Sequence, residues 1–257
     1  MLQINKEYIN LLLTHDQRVD GRKLEQYRDI KVEYNISENA EGSAKVSIGD
    51  TVVLAGVKMD VGTPFTDKPD QGSIVVGAEL LPLASEDFEL GPPSGDAIEL
   101  SRVVDRGIRE CQAVDFKKLC IKEGEKVWML FIDIYPLNDA GNLQDAAFLA
   151  AIAALKTAVF PKLENDKVVF GEFTKEKITL QRVPIECTLL KIGDKIVLDP
   201  TLEEERALDA RLTVAVTEEN KVCAMQKGGE KGLSMDDIDK MITLAIEKTQ
   251  ELRKNLK

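Results

Sequence analysis

Residues Lys126–Leu155 read KVWMLFIDIYPLNDAGNLQDAAFLAAIAAL, and this stretch decides the fold class. As far as Leu137 it is a mainly apolar run, broken after Lys126 only by Asp133, the pattern of a buried strand. Its last part is rich in alanine and leucine and reads as a helix running to about Phe160, where Pro161 stops it. Between the two, the turn Asn138–Asn142 centres on Gly141. A glycine turn feeding a helix N-terminus is a ready anion cradle, because free backbone N–H groups and the helix dipole point at the ligand. Yet this turn carries Asp139, and the first helical turn carries Asp145, with no arginine or lysine. Asn142 fits an N-cap, and Asp145 three residues on fits its reciprocal partner. On this reading the aspartates satisfy the positive end of the helix themselves and repel phosphate.

Working outward, the first part of the chain begins with an amphipathic helix over residues 2–13 and a charged segment, Arg18–Lys23. Alternation from Ile30 to Ile36 follows, and then SAKVSIGDTVVLAGVKMDVG, a hairpin whose β-branched runs meet at Gly49-Asp50. Ile74–Leu83 reads as a further strand, and a helix is expected from Asp96 to Phe116. After Pro161 the polar KLENDK reads as a linker. LLKIGDKIVLDP (Leu189–Pro200) then repeats the I-G-D-x-x-V-L spacing of the first hairpin. A second hairpin, Leu212–Thr217 with Val222–Gln226, precedes a helix from Met235, for which Ser234 and Asp237 form a capping box. The order predicts an α/β (α+β) protein of two related sheet-plus-helix halves, residues 1–165 and 180–257.

The helix from Asp96 holds the most informative charges. At 100° per residue Ala97, Leu100, Val104, Ile108 and Cys111 share one face, and Arg102, Arg106 and Arg109 line the opposite one. Such a row suits a phosphodiester backbone, since each guanidinium is a planar fork of donors. The pairs Glu99–Arg102, Asp105–Arg109 and Arg106–Glu110 would instead make it a solvated, ion-paired face. The acidic stretch Asp199–Arg211 admits a carboxylate metal site, although consecutive glutamates diverge. Four scattered cysteines and a single histidine, His15, give thiol or imidazole chemistry little to work with. A net charge of −11 confines any contact with a polyanion to a local basic patch. No apolar run spans a bilayer and no signal peptide opens the chain, so a cytoplasmic protein is expected.

From about Arg18 onward these segments resemble the RNase PH superfamily. The resemblance is carried by R-x-D-G-R-K (Arg18–Lys23), ELSRVVDRGIRE (Glu99–Glu110), PLNDAGNLQDAAFLAAIAAL (Pro136–Leu155), and LDPTLEEE followed by LTVAV (Leu198–Val216). Residues 62–93 and Asp199–Glu205 look most like the non-catalytic member of the archaeal exosome ring. That resemblance implies an RNase PH-like fold in a phosphorolytic 3′-to-5′ exoribonuclease assembly, six subunits in a ring around threaded RNA. Active members hold phosphate at a G-[ST]-R turn, where this chain has Gly141-Asn142-Leu143. They carry a catalytic aspartate before the strand Leu212–Val216, where this chain has Arg211, with Asp209 two residues earlier. They have R-R-S where this chain reads Gly95-Asp96-Ala97.

The implied role is an inactive subunit without cofactor or metal, shaping the site of a catalytic paralogue in a trimer of heterodimers with RNA-binding cap subunits. It would hold single-stranded RNA through Arg102, Arg106 and Arg109. One rival is an active phosphate-dependent exoribonuclease using Asp209 or Asp199. Another is a small-molecule-binding or ribosome-associated protein that shares only the fold.

Overall fold

The computed structural model describes residues 6–165 and 167–256. A first helix, α1 (Lys6–Thr14), precedes the strands β1 (Ile30–Tyr34), β2 (Gly42–Ile48), β3 (Thr51–Gly62) and β4 (Ser73–Ala78). Residues 2–5 of the expected first helix lie outside the described residues. Helix α2 (Gly95–Glu110), the short β5 (Cys120–Lys122), the long β6 (Lys126–Asn138) and α3 (Leu143–Thr157) complete this part. The strands form one sheet in the order β1-β2-β3-β6-β4, with β5 beside β6 and β4 parallel to β6.

A hairpin, β7 (Val159–Glu164) with β8 (Lys167–Lys177), leads to the second sheet. There β9 (Ile185–Ile192), β10 (Lys195–Leu198), α4 (Leu202–Ala207), β11 (Ala210–Val216), β12 (Val222–Gly228) and α5 (Met235–Arg253) follow in turn. The sheet order is β10-β9-β11-β12. Both I-G-D motifs turn hairpins, with Gly49 at φ 55° and Gly193 at φ 57°. Ser234 and Asp237 cap α5 reciprocally, as their spacing predicts.

Helix α3 joins the two sheets. All its side chains from Gln144 to Leu155 are buried, and it packs on β2 and β3 of the first sheet and β9 of the second. A helix apolar all round belongs inside a core, and its six alanines let backbones approach closely. Ile9 and Leu13 of α1 join Leu190, Ile192 and Val197, while Met241 and Ala245 of α5 cover Leu189, Leu212 and Val214.

Three segments differ from the sequence reading. Helix α2 stops at Glu110, not Phe116, because Gln112 takes a left-handed φ of 55°. The Gln112 and Ala113 N–H groups then cap the carbonyls of Arg109 and Ile108. Strand β4 ends at Ala78 instead of Leu83. The expected linker after α3 is the β7–β8 hairpin: Val159 and Phe160 are strand formers, and Pro161 sits in a two-stranded ribbon.

Gly107 sets how closely α2 approaches α3. A Cβ there would lie 2.4 Å from Cε2 of buried Phe148 and 2.7 Å from Oε1 of buried Glu186. Helix propensity favours alanine over glycine by about 1 kcal/mol, but overpacking a core costs about 1–3 kcal/mol. Gly107→Ala should therefore lower stability by up to about 2 kcal/mol in denaturant unfolding, the reverse of the propensity order.

Candidate functional site

Strand β6 delivers the chain to the turn, and Gly141 is required there. Its φ is +90°, and a Cβ would stand 2.5 Å from the Pro200 carbonyl oxygen. Arg28 donates to the carbonyls of Ala140 (2.8 Å) and Gly141 (3.0 Å), and the Thr51 hydroxyl donates to Gly141 O at 2.6 Å. With the carbonyls held back, the N–H groups face forward, and carboxylates of this same chain receive them. Gly141 N–H donates to Asp139 Oδ1 at 2.9 Å, and Asn142 N–H donates to Glu205 Oε1 of α4 at 2.8 Å.

The reciprocal cap expected of Asn142 and Asp145 does not form. Asn142 adopts φ 60°, whereas side-chain capping needs an extended backbone, and its side chain accepts no helical N–H. Its Nδ2 donates instead to Asp145 Oδ2 (3.0 Å) and Asp199 Oδ1 (2.9 Å). Asp145 is buried and accepts the Tyr27 hydroxyl at 2.6 Å, so it turns into the interior and does not face the anion position. Glu205 does that instead. Leu143, where the resemblance places an arginine, is partly buried against the core.

Burial dominates the electrostatics here. It pushes the Glu205 carboxyl up to about 7, with Asp139 adding to the rise against the Asn142 N–H, Arg211 and Arg28. It pushes Asp145 up to about 6 and raises Asp139 as well. For both Glu205 and Asp145 the folded-state value exceeds the unfolded one. Folding therefore takes up protons, and their contribution to stability falls as pH rises from about 4.5 towards 7. Glu205→Gln, which keeps an acceptor for Asn142 N–H, should reduce the loss of thermal stability between pH 5 and pH 8.

On α2 the side chain of Ser94 caps the N-terminus by accepting from Ala97 N–H (3.2 Å). The predicted apolar face is buried. Of the three ion pairs considered, Asp105–Arg109 forms at 2.7 Å, and Arg109 also donates to Ile74 O at 2.9 Å. Arg102 and Arg106 are exposed, with no hydrogen bond or ion pair to any described residue. Two free guanidinium groups one helical turn apart remain.

Arg211 pairs with Glu99 of α2 at 2.6 Å, tying β11 to that helix. Asp209 lies in a separate cleft against α1. There Lys6 (2.7 Å), Lys231 (3.1 Å) and Gly193 N–H (3.0 Å) saturate it, and the Lys6 contact leads in holding it near 2. Asp199 is fully buried. Burial opposes its ionisation, but hydrogen bonds from Arg28 and that residue's charge hold it below the usual carboxylate range. The acidic stretch diverges, Glu204 turning to Arg18 and Glu205 to the glycine turn. Among the described residues no group of three or more His, Cys, Asp or Glu is placed to hold a metal ion, and all four cysteines are free. No helix among them is long and apolar enough to cross a membrane.

Two family models match, 3′ exoribonuclease family domain 1 over residues 26–161 and domain 2 over residues 182–248. The chain belongs to the 3′ exoribonuclease family. Its relatives include the exosome complex component Rrp42 of Methanothermobacter thermautotrophicus, 47% identical over 97% of this chain and 93% of that one. The protein of the same name from Thermococcus kodakarensis is 45% identical over 100% of this chain and 95% of that one. Among solved structures, a chain of the Archaeoglobus fulgidus exosome with RNA bound to the active site matches with a TM-score of 0.90. It is 43% identical over 98% of this chain and 97% of that chain. A chain of an archaeal exosome core matches with a TM-score of 0.87, at 41% identity over 98% and 95%. The fold is therefore the RNase PH-like one that the sequence resembles.

Sequence reasoning placed Asp199 and Glu205 in an acidic stretch without linking either to the glycine turn, and it missed Arg28. The run of charge around Pro200 was the one signal for Asp199 and Glu205, and nothing in sequence separation tells that Glu205 reaches a turn more than sixty residues earlier.

Proposed function

We propose that this chain is the non-catalytic, RNA-holding member of an exosome ring, paired with a catalytic paralogue in a trimer of heterodimers. Its relatives are named as exosome components, and its fold matches chains of archaeal exosomes. The observation that carries the reading is the filled anion position. Phosphorolysis needs cations around an anionic nucleophile and around developing charge. Here Glu205 and Asp139 take the N–H groups of the turn, and Leu143 replaces the arginine. A phosphate would meet carboxylates.

Arg102 and Arg106 supply the RNA contact. Arg109, held by Asp105, adds its charge to the row. A local arginine patch facing a channel tolerates a net charge of −11 elsewhere. Cap subunits that bind RNA and a cytoplasmic location belong to the same reading. Mass determination after co-expression with the catalytic paralogue should give three copies of each chain. That assembly should degrade poly(A) faster than the paralogue alone; two chains that stay apart, or an unchanged rate, would sink the proposal.

A further inference from the structure

We infer that the cleft beside the glycine turn binds an aliphatic polyamine, a linear methylene chain carrying two or more ammonium groups. The cleft lies between α2, the start of α3, α4 and the loop before α2, and encloses about 350 Å³, within the range of small-ligand sites. Five carboxylates line it. Arg206 pairs with Asp87 and Arg211 pairs with Glu99, both at 2.6 Å. Asp96, Asp139 and Glu205 pair with no lysine or arginine among the described residues, so the cleft carries uncompensated negative charge.

A second observation is independent of that charge. Gln144 is only 8% exposed and lines the same cleft, yet its amide makes no hydrogen bond to any described residue, and Oε1 is buried without a partner. A buried amide is normally satisfied, so an empty one bordering a cleft marks a place for a ligand's polar group.

The spacing of the carboxylates selects the class of cation. No three of the described acidic groups converge as a metal ion would require. A single lysine or arginine side chain would neutralise one charge and leave the others. The wall between the carboxylates is apolar, built from Leu80, Phe88, Leu143, Leu202 and Leu208. Methylenes lie favourably along such a wall while ammonium groups reach carboxylates spread along it. The charge inversion that removes phosphate from this turn thus creates a site for the opposite kind of ligand. Ammonium groups there would stabilise the ionised Glu205 and Asp139 that burial disfavours.

Calorimetric titration of the purified full-length chain with spermidine tests this. One saturable site is expected, with butylamine at matched ionic strength binding at least about tenfold more weakly. Asp96→Asn with Asp139→Asn should weaken spermidine by about tenfold or more. Asp96 lies exposed on the rim, so the single Asp96→Asn keeps the test valid should the double variant unfold. Glu230→Gln, exposed and outside the cleft, should change nothing. Affinity should rise from pH 6 to pH 8 as Glu205 ionises in the field of Asp139, Asp87, Arg28, Arg206 and Arg211. Non-saturable binding, equal affinity for butylamine, or affinity indifferent to the cleft variants would overturn the assignment. So would a basic peptide that binds where spermidine does not.

Discussion

Replacing Arg102 and Arg106 with glutamate is expected to weaken retention of single-stranded RNA by the assembled complex by about a hundredfold. Each contact from a guanidinium to a phosphate is worth about 1.5 kcal/mol or more, and two of them together correspond to two decades in affinity. Both side chains are exposed and neither has a partner among the described residues, so the substitutions should leave folding intact. Loss of two phosphate contacts should also lower the dependence of log affinity on log salt by about 1.4. Arg109→Gln behaves differently: it breaks the pair with Asp105 and the bond to Ile74 O, so a modest loss of stability accompanies its weaker effect on RNA. An unchanged salt dependence in the double variant would remove α2 from the RNA path.

The largest effect on stability is expected from Arg18→Met. Arg18 is 5% exposed, and its guanidinium meets both oxygens of buried Glu204, Nε at 2.8 Å and Nη2 at 2.6 Å. It also donates to the carbonyls of Leu198 (3.0 Å) and Asp199 (2.8 Å). This pair pins the segment after α1 to α4 of the second half. Removing the arginine alone strands a buried carboxylate, which costs about 3–5 kcal/mol. In a chain of this size that corresponds to a fall in Tm of about 10 °C. Arg18→Met with Glu204→Leu should recover most of the loss, because desolvation of the ions offsets much of their attraction. Thermal unfolding of the two variants separates the cost of an unpaired charge from the net contribution of the pair.

The residues differ in how far their places could be read from the chain. Strand β6, the turn and α3 were legible because an apolar run, a glycine and an alanine-rich run are local signals. The arginine face of α2 followed from helical period, and so did its buried side. The length of α2 did not: apolar spacing continues through Ala113 and Val114 while the backbone has already turned at Gln112. Asp145 shows the harder limit. Its position suggested a cap, but Tyr27 and Asn142 draw it inward, and Glu205 takes the outward role. Which of two carboxylates faces the anion position is fixed by where α4, packed on α1 and β9, sets Glu205 against the start of α3, and no local pattern encodes it. The charge inversion itself was readable, because Leu143 and Asp139 stand in the turn. The carboxylate that completes it was not.

That inversion is the centre of the account, and one measurement tests it directly. The purified chain is incubated with poly(A) and inorganic phosphate, and release of nucleoside diphosphates is followed over time. No release above background is expected at any phosphate concentration, because Glu205 and Asp139 already hold the N–H groups that would bind the nucleophile. Release of nucleoside diphosphates that rises and saturates with phosphate would show a working anion site in this chain and contradict the account.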